Sequence, residues 1–135
     1  MQRLDECLDK LRKICQPIDF DTYRRDSLIQ DITERNLEVA IQVILDIGNH
    51  IIAASGWQSP DRYADVLNIL TEQGVLPEAF ALKLQGMAQF RNILVHEYLR
   101  IDHRTVYDIL QTKVDQFGQF ARYVVNWLEE QDATE

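Results

Sequence analysis

From about Ser27 to Ser55 the chain carries two stripes at helical spacing, and few folds can use such a segment. Leu37, Ile41, Ile44, Gly48, Ile51 and Ser55 recur at helical spacing. Val39, Val43, Asp46 and His50 form a second row at the same spacing. A helix with two rows packs on two sides, as a central bundle helix or a dimer helix does. Gly56 supplies the stop.

The flanking segments read as helices that cover this one. A first helix is expected from about Gln2 to Cys15, with Leu4, Leu8, Leu11 and Cys15 on one face and Pro17 ending it. The connector from Ile18 to Arg25 has room for a short helical turn after Asp19. Ser59-Pro60 reads as an N-cap followed by proline at the first helical position, opening a helix to about Gln73 that Gly74 closes. Its apolar residues are Tyr63, Val66, Leu67 and Leu70. Pro77 opens the next helix, in which Phe80, Leu84, Met87, Arg91, Leu94, Tyr98 and Ile101 alternate by four and three. Asp102 caps a last helix from about His103 to Glu130, with Val106, Leu110, Phe117, Phe120, Val124 and Leu128 inward. No segment alternates as a strand does. The expected fold class is all-α, an up-and-down bundle of four to five helices forming one domain over residues 1–135.

Composition narrows the function classes. Apolar residues make up 46%, which excludes a disordered segment. No run is expected to be long and apolar enough to span a bilayer, and Met1-Gln2-Arg3-Leu4-Asp5-Glu6 is no secretory leader, so no membrane partner and a cytoplasmic location are expected. Cys7 and Cys15 lie eight residues apart on one helix, a separation of about 12 Å that forbids a disulfide within it. Both are expected to be reduced and partly buried. Two cysteines without a Cys/His cluster make no zinc site, no acidic cluster is spaced for a metal, and no glycine-rich phosphate loop is present, so no metal and no cofactor are expected. The net charge of −8 argues against a general nucleic-acid coat but leaves room for a nuclease with a small basic cleft. It favours a basic partner, or a dimer that concentrates its few arginines.

The chemistry concentrates in Phe90-Arg91-Asn92-Ile93-Leu94-Val95-His96-Glu97-Tyr98-Leu99-Arg100-Ile101-Asp102. Arg91 occupies a core-type position, where an unpaired guanidinium is costly. Two readings fit it: an ion pair with an acid such as Asp46, or an anion site in which the planar fork grips phosphate. His96, five residues on, lies about 140° round an ideal helix from Arg91. The two converge if the arginine reaches along the helix, if the helix frays near His96, or if a second protomer completes the site. Imidazole titrates near neutrality and serves as base or acid, although a lone histidine is more often structural. Asn92 shares a face with His96 and is placed to orient it or to bind a phosphate oxygen. Tyr98 rejoins the Arg91 row, as a core-edge aromatic or as a hydroxyl beside a cleft. Asp46 and His50 form an i, i+4 pair, read first as a local hydrogen bond and second as a lining of the same cleft. His103 is expected to face solvent, and Glu97 and Arg100 read as surface charges.

Arg91-Asn92-Ile93-Leu94-Val95-His96-Glu97-Tyr98 resembles the Arg-x-x-x-x-His-x-Tyr motif of HEPN-domain ribonucleases, specifically the HepT-like toxins. Ile101-Asp102, Ala40-Ile41-Gln42 and Asp46-Ile47-Gly48-Asn49-His50 also look like segments of that family, and length and helix order match over essentially the whole chain. The resemblance implies a homodimer whose motif helices meet at a shared cleft. It implies metal-independent RNA cleavage by attack of the ribose 2′-hydroxyl on the neighbouring phosphate. Carried over, Arg91 binds the scissile phosphate, His96 is the general base or acid, and Asn92 matches the polar residue after the motif arginine. Tyr98 matches the tyrosine to which a minimal nucleotidyltransferase antitoxin attaches AMP. A groove lined by Arg91, Arg100 and Arg104 would reconcile RNA binding with the acidic total. Two other functions fit the same residues: a non-catalytic HEPN subunit that docks a nucleotidyltransferase and presents a ligand or tyrosine to it, and a plain dimerisation adapter.

Overall fold

The computed structural model describes residues 2–96 and 101–134, with the side chains at positions 88, 95, 96 and 134 left undescribed. Among the described residues there are seven α-helices and no strand: α1 (Gln2–Lys10), α2 (Phe20–Tyr23), α3 (Ser27–Ser55), α4 (Tyr63–Glu72), α5 (Glu78–His96), α6 (His103–Thr112) and α7 (Asp115–Thr134). A π-helical turn, Leu11–Cys15, continues α1. The all-α class is as expected, with more helical segments than the four or five read from the sequence.

The long helix has the expected bounds because both ends are marked chemically. Asp26 accepts from the Leu28 and Ile29 N–H groups at 3.1 and 3.2 Å, satisfying two donors of the first turn. At the other end Gly56 takes φ +73°, a left-handed conformation that favours glycine. The Trp57 N–H then reaches back to the Ile52 carbonyl at 3.1 Å, which closes the helix. Between these ends α3 touches α1, α2, α4, α5, α6 and α7. Leu37, Ile41, Ile44, Gly48 and Ile51 are buried, as the first row requires. In the second row Val39 and Val43 are half-buried, whereas Asp46 and His50 are exposed.

Contrary to the sequence expectation, α3 is long and apolar enough to cross a membrane by length and composition. Eleven of its residues are buried against the other helices.

Gly48 sets how closely α4 approaches. A Cβ there would lie 2.6 Å from Val66 Cγ1 and 3.1 Å from Leu70 Cδ1. The bare backbone lets Val66, Leu67 and Leu70 bury against α3. That approach also fixes Tyr63 at the start of α4.

Several boundaries differ from expectation. Helix α4 begins at Tyr63 rather than after Ser59-Pro60, because Asp65 accepts the Arg62 N–H at 3.1 Å and caps the helix there. The last segment is two helices, broken at Lys113 and Val114, where the Gln116 and Phe117 N–H groups bond to the Lys113 and Val114 carbonyls. Val106, Leu110, Phe117, Phe120 and Val124 are buried as expected, but Leu128 is 46% exposed, since α7 outruns the core there. Asp19 caps α2 through the Thr22 N–H, and Asp102 caps α6 through the Arg104 N–H. The connector after Pro17 is tied to α6 by Tyr107 Oη donating to the Ile18 carbonyl at 2.7 Å.

Cys7 and Cys15 are both free and fully buried rather than partly so. Burial pushes both thiols above the ordinary range.

Candidate functional site

Helix α5 places Arg91 where the sequence pattern put it, on the row with Phe80, Leu84, Met87 and Leu94. Those four are buried, whereas Arg91 is half-buried. Its Cζ sits 4.8 Å from the centroid of the Tyr63 ring, a cation–π contact. Its Nε is buried with no hydrogen-bond partner among the described residues. Among the described residues Arg91 forms no ion pair within 4.0 Å, so the reading as a pair with Asp46 does not hold. Asp46 instead accepts from Gln42 Nε2 at 2.7 Å, and this bond, rather than one to His50, engages it.

Arg91 and Asp46 nevertheless line one cavity, of about 140 Å³, where α1, α3 and α5 meet. Arg3, Arg35, Glu38 and Gln42 complete its polar wall. Arg35 pairs with Glu38 across 3.7 Å on the exposed rim. Gln42 Oε1 is buried without a partner among the described residues. Three guanidinium groups facing two carboxylates leave the cavity with a net positive charge. A donor without an acceptor in such a place suits an anion.

A separate, open cleft of about 590 Å³ lies beside Tyr63. Asn49, Arg62, Tyr63, Gln89 and Asn92 line it. Tyr63 therefore lines this cleft, and its ring is also the platform under Arg91. His50 is exposed and belongs to neither. Helix α5 is continuous through His96, which excludes fraying before that residue and keeps positions 91 and 96 about 140° apart. The His96 side chain, and Glu97, Tyr98 and Arg100 entirely, lie outside what the structure describes.

The grouping of arginines differs from expectation. Arg104 lies over the Phe20 ring at 4.5 Å and pairs with Asp108 at 3.3 Å, so it does not join Arg91. Arg3 and Arg35 do. Arg35 carried a legible signal, since it extends the row of Val39, Val43 and Asp46 by one turn. Arg3 carried none beyond its helix. In the sequence Tyr63 reads only as a member of a packing row.

His103 is half-buried rather than solvent-facing. Its ring meets Tyr23 edge-on at 6.3 Å, and its Nδ1 is buried without a partner among the described residues. Glu34 lies in the same neighbourhood, its carboxyl pushed up by burial despite the attraction of His103. Burial likewise raises the fully enclosed Tyr23 phenol.

Residues 4–124 match the family model of the HepT-like ribonucleases. The chain belongs to that family. It is 24% identical over 117 residues to the mRNA nuclease HepT of Shewanella oneidensis, covering 87% of this chain and 86% of that protein. It is 28% identical over 129 residues to the tRNA nuclease HepT of Aphanizomenon flos-aquae, covering 95% and 86%. Its fold superposes with a TM-score of 0.84 on the tri-AMPylated HEPN toxin of Shewanella oneidensis solved in complex with its MNT antitoxin, at 22% identity over 93% of this chain and 92% of that one. Within a HepT-like fold, the Arg91 cavity is the feature that matches phosphate chemistry.

Proposed function

We propose that this HepT-like chain is a metal-independent endoribonuclease that acts as a homodimer and serves as the toxin of a toxin–antitoxin pair. The observation that carries the reading is Arg91: a guanidinium stacked on Tyr63, with a buried Nε unpartnered among the described residues, in a cavity where cations outnumber acids. A phosphodiester oxygen supplies the acceptor that this group lacks. Charge that develops on phosphorus as the bond order changes is then met by a donor already in place.

In this mechanism the His96 imidazole takes the proton from a ribose 2′-hydroxyl. The 2′-oxygen bonds to phosphorus, the bond to the 5′-oxygen breaks, and the departing oxygen takes a proton from an imidazolium. The products are a 2′,3′-cyclic phosphate and a 5′-hydroxyl. Asn92 and Asp46 flank the substrate from the two cavities, whereas His50, which lines neither, is given no part. The angle of about 140° between Arg91 and His96 is bridged across a two-fold axis, each protomer supplying a copy.

The surface of α5 supports the dimer. Leu82 is 62% and Ile93 41% exposed, and Gly86 between them has open space where a Cβ would be. Exposed apolar groups flanking a small residue suit close helix contact. Modification at Tyr98 fits the same scheme. A nucleotidyltransferase antitoxin passes AMP from ATP to the phenolic oxygen with release of pyrophosphate, adding bulk and negative charge two residues from His96.

Incubating the purified protein with RNA in the presence of a chelator tests the reading. Cleavage to cyclic-phosphate ends is expected, lost in Arg91→Ala and in His96→Ala while the dimer persists in sedimentation. RNA left intact by the wild type, with AMP still added to Tyr98 by the partner enzyme, would instead make the chain a non-catalytic docking subunit.

A further inference from the structure

A second basic groove lies away from Arg91, between the first turns of α5 and the middle of α7. It encloses about 470 Å³. Lys83 reaches it from α5, and Gln119, Arg122, Tyr123 and Asn126 line it from one face of α7. Those four residues recur at helical spacing, so their sharing a face follows from the sequence. Phe80 forms the floor, its ring 4.9 Å from that of Tyr123.

Charge sets this groove apart. The chain has 22 acidic and 14 basic residues, and seven of the basic ones form ion pairs among the described residues. Lys83 and Arg122 are both exposed and are not among those seven. Among the described residues no acid lines the groove. In so acidic a chain, two such cations facing one groove leave a site for an anion. The neighbouring aromatic ring and the two amides add what a nucleobase needs: a face to stack on and donors and acceptors for its edge.

We propose that this groove is a second nucleotide site for the RNA strand, with a backbone phosphate held by Lys83 and Arg122 and a base against Tyr123. The inference rests on the ribonuclease reading for its ligand, and not on Arg91 for its geometry. Lys83 precedes Arg91 by eight residues, about 12 Å along α5. A strand cut beside Arg91 reaches the groove with its flanking nucleotides. The groove then governs affinity and substrate length, and Arg91 governs the chemistry.

The test measures binding separately from cleavage. A fluorescent single-stranded RNA whose 2′-oxygens are methylated cannot be cut, and its affinity is read by anisotropy across a salt series. For Lys83→Gln with Arg122→Gln, the slope of log affinity against log salt is expected to fall by about 1.4, roughly 0.7 for each cation that no longer meets a phosphate. At 0.1 M salt that corresponds to about 25-fold weaker binding. Tyr123→Leu is expected to weaken binding by about fivefold or more with the slope unchanged. Far-ultraviolet circular dichroism and thermal unfolding confirm that the variants fold.

A double variant that keeps wild-type affinity and slope overturns the inference, even if Arg91→Ala abolishes cleavage. So does loss of antitoxin binding with RNA affinity unchanged, which would make the groove a protein contact. A wild type that binds the methylated strand with the expected losses but cuts no RNA would sink the ribonuclease reading and leave the groove standing.

Discussion

Replacing Arg91 with alanine separates the two physical roles open to a guanidinium on a core row. Were Arg91 one half of a buried ion pair, its removal would strand a carboxylate and cost about 3–5 kcal/mol. The structure shows no such partner among the described residues; what alanine takes away is the stack on Tyr63 at 4.8 Å. A half-exposed cation–π interaction is worth about 0.5–1 kcal/mol. Removing a buried Nε that bonds to nothing among the described residues offsets part of that loss. Arg91→Ala is therefore expected to lower stability by about 1 kcal/mol or less. At roughly 2.1 cal/mol/K per residue this is a Tm decrease of about 3–4 °C for a chain of this length. RNA cleavage should fall by about 10²–10³, the usual effect of removing one donor to developing charge. Arg91→Lys keeps the charge without the planar fork and should recover little of the activity. Urea unfolding and single-turnover cleavage on the same preparations provide both numbers. A stability loss of about 3 kcal/mol or more would refute the unpaired reading, and cleavage within a few fold of wild type would refute the phosphate role.

Other parts of the fold give independent tests. Gly48→Val places two methyl groups where a Cβ alone comes within 2.6 Å of Val66, and is expected to cost about 2–3 kcal/mol in urea unfolding, with partial rescue by Val66→Ala. Asp26→Ala removes the acceptor for two N–H groups at the start of α3 and should lower stability by about 1 kcal/mol by thermal unfolding. Glu34 has a folded-state pKa raised by burial, so the folded chain holds its proton more tightly than the unfolded chain. Stability from this group is greatest below the unfolded value near 4.5 and is lost as pH rises through the raised folded value. Glu34→Gln should flatten that decline in urea titrations taken from pH 4.5 to neutrality; an unchanged pH profile would rule out the buried-carboxyl account.

Features encoded within one turn of chain were legible in the sequence, and features that depend on which helices meet were not. Asp26 and Gly56 mark the ends of α3 with local hydrogen bonds, and both ends were readable. Asp102 marks α6 in the same way. At Lys113 and Val114 no glycine or proline announces a break, and the apolar spacing from Val106 to Val124 continues across it, so one helix was expected where two occur. Ser59-Pro60 offered a plausible cap that lost to Asp65, whose carboxylate is three residues from the Arg62 N–H. His103 sits beside a helix cap and so reads as solvated, but Tyr23, far earlier in the chain, closes over it. The same division holds at the site. Arg91 stands out because it interrupts an apolar row. Tyr63, Arg3 and Arg35 reach it from three other helical segments, and no local pattern ties them to it.

That division also explains how a chain of net charge −8 comes to hold candidate phosphate sites. Screening limits the reach of surface charge to about 8 Å at physiological ionic strength, so the total matters less than the charges within one cavity. Arg104, the arginine expected to assist Arg91, is neutralised by Asp108 and rests on Phe20. Arg12, Arg24 and Arg25 are likewise engaged by Asp115 and Asp21. Such exposed pairs contribute little to stability, typically under about 1 kcal/mol each, but they remove positive charge from faces where it would attract polyanions indiscriminately. Arg91 above Tyr63, and Lys83 with Arg122 around Tyr123, stand outside those pairs. Each lies beside an aromatic ring, in a concave site. An RNA strand is therefore repelled by most of this surface and held where stacking and charge coincide. On this account, adding exposed acids far from both grooves should leave cleavage nearly unchanged at physiological salt and slow it only at low salt. Equal slowing at both would mean that the global charge, not the local arrangement, governs access.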